Sequence, residues 1–333
     1  MAATILTDMT SYRGMSPLTT LVSIIATSGR PGVASLDLEG IQEARSRTLG
    51  RNPLVQLVTG AVDPGVGITF GTAPARDDHE IPLRLYRPRS LPDSRTDVPV
   101  VMWFHGGGWV LGNVVDYDPV CTLIAAEVGA VVVSVDYRMA PEHRAPVAAQ
   151  DCVDATTWVA AHGDVLRADT SRMGVAGDSA GGNLAAVVAQ VMRDAGMTNL
   201  RHQALVYPAT DLTMSSPSIA ENADAPILDK RAMDAFLDHY LAPGTDPRDP
   251  VLSPLFGDLA GLPPALVQTA DLDPIRDDGL RYAEALEAAG VPVRLTNYLR
   301  VPHGFASFPG ATPVGHQQRS ELVTEISRAL ADG

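Results

Sequence analysis

The stretch Met173-Gly174-Val175-Ala176-Gly177-Asp178-Ser179-Ala180-Gly181-Gly182-Asn183-Leu184-Ala185-Ala186-Val187-Val188 decides the reading of this chain. An apolar run, a G-x-S-x-G pentapeptide and a small-residue helix follow one another without a gap. That order predicts a strand, a sharp turn and a helix, with Ser179 at the apex. In so tight a turn, side chains two residues before and two residues after the serine would clash, so both places need glycine. Ser179 then stands at the C-terminal edge of a sheet and at the N-terminus of a helix. Negative charge developing beside it meets unpaired N–H groups and the positive end of the helix dipole. The pattern points to Ser179 as a nucleophile.

Outward from this turn the chain alternates between β-type and helix-type segments. Strands are expected at Gly67 to Gly71, Ile81 to Tyr86, Val98 to Phe104, Val131 to Val135, Met173 to Ala176, Gln203 to Tyr207, Ala265 to Thr269 and Val293 to Leu299. Several are continuous aliphatic runs, as in Val131-Val132-Val133, and such runs suit strands covered on both faces. Helical segments fall near 119–128, 147–161, 183–195, 278–289 and 317–330. Strands with crossover helices predict an α/β fold with a mostly parallel eight-stranded sheet and helices on both faces.

Two regions depart from the rhythm. Residues 1 to about 55 read as broken helical pieces, one starting at Ser35-Leu36-Asp37-Leu38-Glu39. Nearly sixty residues between Tyr207 and Ala265 lack a strand and hold a helix-like stretch from Lys230 to Leu241. An insertion after the C-terminal end of a strand is where lids are placed. The expected organisation is one domain over 1–333. Its catalytic core is about 65–210 and 251–333, and its helical cap is about 1–55 plus 211–250. Met15, Leu21, Ile24, Ile25, Phe236 and Leu237 are expected to pack the cap rather than to form an acyl pocket.

Composition narrows the class. The 333 residues are 45% hydrophobic and carry a formal net charge of −14. That balance argues against nucleic acid or an anionic membrane surface as partner. Cys121 and Cys152 are too few for a disulfide framework and have no metal-ligand spacing, so buried free thiols and a reducing, cytoplasmic setting are expected. Leu18 to Ala26 is the one segment resembling a signal h-region. It follows Asp8 and a single Arg13 rather than a basic stretch, and no run is long enough to span a membrane.

A serine nucleophile needs a base, an orienting acid and an oxyanion hole. His303, in Val301-Pro302-His303-Gly304-Phe305, follows the last strand directly, whereas His202, His239 and His316 do not. Asp273 and Asp271 both follow the strand Ala265 to Thr269, and spacing alone does not rank them. His105-Gly106-Gly107-Gly108 follows another strand, and consecutive glycines let backbone N–H groups face a carbonyl oxygen.

These blocks together resemble the hormone-sensitive-lipase-like, bacterial family IV carboxylesterases of the α/β-hydrolase superfamily. The resemblance is carried by HGGGW at 105–109, DYRMAPEH at 136–143, GDSAGGNLA at 177–185, Asp273-Pro274-Ile275-Arg276-Asp277 and His303-Gly304-Phe305. It implies Ser179 as nucleophile, His303 as base and Asp273 as acid. It also implies Gly107, Gly108 and Ala180 as oxyanion donors, with His105, Gly106 and Asp178 supporting them. Arg138 and Glu142 would hold loops, and Asp277 would act at most through other residues. The resemblance implies no metal or organic cofactor and a small ester substrate of short to medium acyl chain. It also suggests a homodimer through the edge strand Val293 to Leu299. Two readings compete. An amidase, lactamase or longer-chain lipase would use the same triad. A ligand-binding protein, like the related plant gibberellin receptors, would lack the catalytic histidine that stands here at 303.

Overall fold

In the computed structural model, residues 12, 14–28, 32–92 and 94–331 are described. Asp8 and Arg13, and the stretches 1–11 and 29–31 of the expected cap, lie outside the described residues. One sheet organises the chain, with strands β1 (Val66–Pro74), β2 (Glu80–Pro88), β3 (Val100–Phe104), β4 (Val131–Val135), β5 (Met173–Asp178), β6 (Leu200–Val206), β7 (Ala265–Leu272) and β8 (Val293–Pro302). Their order is β1-β2-β4-β3-β5-β6-β7-β8. The β1–β2 hairpin and the β2–β4 pair are antiparallel, and every later pairing is parallel. The α/β class and eight-stranded, mostly parallel sheet follow the sequence expectation, and all eight strands lie where the aliphatic runs placed them.

Strand alternation explains why those runs are continuous. Val100, Met102 and Phe104 join the core on one face of the sheet, and Val101 and Trp103 join the core on the other. The first core is closed by the helices Val147–Ala161, Ala180–Asp194 and Arg276–Ala288, through residues such as Cys152, Leu184 and Leu286. The second is closed by Asp118–Val128 and Gly315–Leu330, through Cys121, Ile124, Leu322 and Ile326. With both faces dry, no position along β3 or β4 is left for a polar–apolar alternation. Both cysteines are free and buried.

The chain leaves β3 for β4 on one side and returns to β5 on the other. The order therefore reverses between β3 and β5, where a crevice opens beyond the carboxyl ends of the strands. Helix Lys230–Tyr240 from the long insertion packs against the short turn Val33–Ser35 above it. Tyr240 also stacks on Trp109 at 4.5 Å.

The N-terminal helix Pro17–Thr27 behaves differently from expectation. Its buried residues are Thr19 and Ser23, with Thr19 Oγ1 donating to Ala311 O at 2.8 Å. Leu21 and Ile25 are exposed, so they pack no cap interior. Among the described residues no helix is long and apolar enough to cross a membrane.

Candidate active site

Ser179 caps helix Ala180–Asp194 with φ +55° and ψ −121°. That backbone is strained for a residue with a side chain, at about 1–3 kcal/mol, and is held by its surroundings. Ser179 N–H donates to Val206 O at 2.9 Å. The flanking glycines are sterically required. A Cβ at Gly181 would lie 2.7 Å from His105 O and closer still to Phe104 O, and one at Gly177 would lie 2.6 Å from Phe104 O. The turn therefore sits directly against the end of β3, where the second functional loop begins.

The structure brings Ser179, His303 and Asp273 into one hydrogen-bonded line. His303 Nε2 is 2.9 Å from Ser179 Oγ, and His303 Nδ1 is 2.7 Å from Asp273 Oδ2. An ionised carboxylate only accepts, so Nδ1 carries the hydrogen and Nε2 is free to accept from the serine hydroxyl. Asp273 is fully buried, and its Oδ1 accepts Ile275 N–H at 3.0 Å. Asp271, the other candidate, stands apart on β7 and accepts Arg300 N–H at 3.3 Å. The Tyr207 ring packs on the His303 ring at 4.7 Å.

The glycine loop after β3 stands beside the serine. Gly107 has φ +125°, and a Cβ there would overlap the Leu111 carbonyl. The amides of Gly107, Gly108 and Ala180 take no partner among the described residues. His105 is fully buried, with Nδ1 on Gly106 O at 2.8 Å. Its ring stacks on Tyr137, whose hydroxyl donates to His105 O at 2.8 Å. Burial lowers the His105 value to about 4, so the ring is neutral. It faces the loop rather than the crevice.

Asp178 holds the next glycine. Its Oδ1 accepts Gly106 N–H at 2.9 Å, and Oδ2 accepts the Tyr117 hydroxyl at 3.1 Å. Burial pushes its carboxyl up to about 6, against the pull of these donors and of nearby His303. The DYRMAPEH block also serves loops. Arg138 pairs with Asp151 and Asp77, each at 2.7 Å, and Glu142 pairs with Arg45 at 2.9 Å.

Sequence reasoning missed two groups. Asp278 is buried, and burial raises it to about 8. Its Oδ2 accepts Thr210 N–H and Asp211 N–H at 3.2 and 3.1 Å, and Oδ1 accepts the Ser216 hydroxyl at 3.0 Å, pinning the root of the insertion. Asp277 joins it by accepting Ser218 N–H at 2.9 Å. The second group is the wall of a cavity of about 230 Å³ over Ser179, formed by Leu212, Met214, Ile227, Met233, Phe236 and Leu237. Phe236 and Leu237 thus line the pocket, contrary to the expectation that they only pack the cap. The helical face of 230–240 turns them toward the serine, and no local pattern distinguishes a pocket wall from a core face.

Set against known proteins, the chain shows the same character. A family profile described as the α/β-hydrolase fold matches residues 101–307. The carboxylesterase NlhH of Mycobacterium tuberculosis is 47% identical over 256 residues, covering 75% of this chain and 79% of the relative. The esterase LipI of the same species is 44% identical over 299 residues, covering 88% and 89%. The solved hyperthermophilic esterase of Pyrobaculum calidifontis superposes with a TM-score of 0.84 at 38% identity, covering 95% of this chain and 99% of that one. The crevice, the serine turn and these likenesses agree: the chain belongs to the hormone-sensitive-lipase-like carboxylesterase branch of the α/β-hydrolases.

Proposed function

We propose that this protein is a serine carboxylesterase that hydrolyses small carboxylic esters of short to medium acyl chain through an acyl-enzyme. The line Ser179–His303–Asp273 is the observation that carries the reading. His303 Nε2 takes the hydroxyl proton as Ser179 Oγ attacks the ester carbonyl. The oxyanion lies on the amides of Gly107, Gly108 and Ala180, which have no other partner among the described residues. His303 then delivers the proton to the departing alcohol and draws one from the water that releases the acid. Asp273 keeps the imidazole in the tautomer this needs. Asp178, His105 and Gly106 act on the loop that carries two of these amides.

In this reading the fold is a single domain. The core is about 65–210 and 251–333, and the cap is about 1–55 with 211–250. The contact of Lys230–Tyr240 with Val33–Ser35 supports that division. The chain-length preference rests on the 230 Å³ cavity, which suits a short or medium acyl group. A homodimer through β8 is supported by its place at the sheet edge, with Leu295 and Leu299 exposed. A cytoplasmic setting is supported by two free buried thiols.

Hydrolysis of 4-nitrophenyl esters from acetate to palmitate, by wild type and Ser179→Ala side by side, tests the activity. Turnover peaking at short or medium chains and lost by a factor of about 10⁶ in the variant is the expected result. Absence of turnover by folded wild type on every ester would refute it.

A further inference from the structure

The bend beside His303 is built against its own backbone preference. Ala225-Pro226-Ile227-Leu228 lies between the short helix Pro217–Glu221 and the helix Lys230–Tyr240. A proline followed by a residue at positive φ is the pattern of a tight turn, whose third place ordinarily takes glycine. Here that place holds Ile227, at φ +74°. A β-branched residue in the left-handed region is strained, and it persists only where its surroundings fix it. Three hydrogen bonds do so. Ala225 N–H donates to Asn222 O at 3.0 Å, and Lys230 N–H donates to Ala223 O at 2.9 Å, closing the segment on itself. Asn222 Nδ2 donates to Asp273 O at 3.1 Å, tying it to the acid of the triad. Strain of this kind gathers at ligand clamps and active sites.

Ile227 lines the cavity over Ser179 and stands against the loop that carries the base. A Cβ on Gly304, the residue after His303, would lie 3.6 Å from Ile227 Cγ2. Ile227 packs on the core that holds Tyr207 and Phe305, whereas Met214, Phe236 and Leu237 pack on the core of the other sheet face. Phe236 marks the opposite wall, since a Cβ on Gly108 would fall 2.4 Å from its ring. The cavity therefore has one wall beside His303 and another beside the oxyanion amides.

The chemistry of ester cleavage divides these walls. The alkoxy oxygen must come within hydrogen-bond reach of His303 Nε2. As the acyl C–O bond breaks, its electron pair passes to that oxygen, which takes the proton from Nε2 and leaves as the alcohol. The carbonyl oxygen meanwhile points at the amides of Gly107, Gly108 and Ala180. The carbons of the alcohol thus begin beside His303 and Gly304, against Ile227. The acyl chain is left the wall of Met233, Phe236 and Leu237.

We propose that Ile227 sets the size of the alcohol this enzyme releases, so that esters of slender primary alcohols are favoured over esters of branched or cyclic ones. The proposal rests on the carboxylesterase reading and specifies the alcohol half of its substrate.

Ethyl butyrate, cyclohexyl butyrate and ethyl octanoate vary the two halves separately. Their hydrolysis, followed by proton release, gives kcat/KM for wild type, Ile227→Ala and Phe236→Ala. Ile227→Ala is expected to raise the ratio of cyclohexyl to ethyl butyrate roughly tenfold and to leave the ratio of ethyl octanoate to ethyl butyrate unchanged. Phe236→Ala is expected to do the reverse. Ile227→Gly suits the positive φ and answers the same question if the alanine variant does not fold. An alcohol ratio that stays fixed without the Ile227 side chain, or moves no more than the acyl ratio, would make Ile227 a packing residue and overturn the proposal. Hydrolysis of ethyl butyrate by wild type would still uphold the carboxylesterase reading in that case. Hydrolysis of none of the three esters by folded wild type would overturn that reading and the proposal with it.

Discussion

Replacing Asp178 with Asn tests how the glycine loop is held, and the structure sets the size of the effect. The carboxyl accepts Gly106 N–H at 2.9 Å and the Tyr117 hydroxyl at 3.1 Å while buried against the serine turn. Burial raises its value from 3.8 to about 6. The folded protein thus holds this proton more tightly than the unfolded chain. The contribution of Asp178 to stability is greatest below the unfolded value and is lost as pH rises to about 6. At 1.36 kcal/mol per unit that interval amounts to about 3 kcal/mol. Asn carries no such dependence. Urea unfolding of both proteins at a series of pH values is expected to show the variant gaining on wild type by up to about 3 kcal/mol from acid to neutral. Taking the difference cancels the other titrating groups, His105, His202 and Asp278 among them. Activity responds separately. The Asn carbonyl still accepts Gly106 N–H, but its amide must donate to Tyr117, and a loosened loop should cost kcat about tenfold, less than a lost oxyanion donor. A difference that stays flat with pH would refute the titration of Asp178. Full activity in Asp178→Ala would refute its hold on the loop.

Asp273→Asn should lower kcat by about 10⁴ with little change in melting temperature, because the amide no longer enforces the His303 tautomer. Steady-state rates and thermal melts check this together. Gly181→Ala should cost about 3 kcal/mol or more in urea, since the added methyl meets the immobile carbonyls of Phe104 and His105. Phe236→Ala removes a wall of the cavity over Ser179 and should raise kcat/KM for 4-nitrophenyl octanoate relative to butyrate roughly tenfold. His202 is buried with its value lowered to about 4 by desolvation. Its contribution to stability is complete above 6.5 and lost as pH falls toward 4, about 3 kcal/mol in all. His202→Gln should therefore lose less stability in acid than wild type, read from urea midpoints at neutral pH and near pH 4.5.

The local signals in the chain reached far. Aliphatic runs such as Val131-Val132-Val133 located buried strands, since only a sheet covered on both faces tolerates them. Gly177 and Gly181 marked the serine turn because steric exclusion leaves no other residue there. His303 stood out by following β8 directly. What the chain could not announce was pairing across long separations. Asp271 and Asp273 are alike in residue type and spacing, and they part only because the end of β7 turns one toward His303 and the other toward Arg300. Phe236 reads as any apolar helix residue until the packing of Lys230–Tyr240 faces it to the serine. Asp278 and Tyr117 gain their roles from partners dozens of residues away. Residue type and local steric rules are written in the sequence, and they determined the fold class, the serine and the glycine loop. Which carboxylate meets the histidine, and which side chains line the cavity over Ser179, depends on distances between remote segments, and only the tertiary structure decides those.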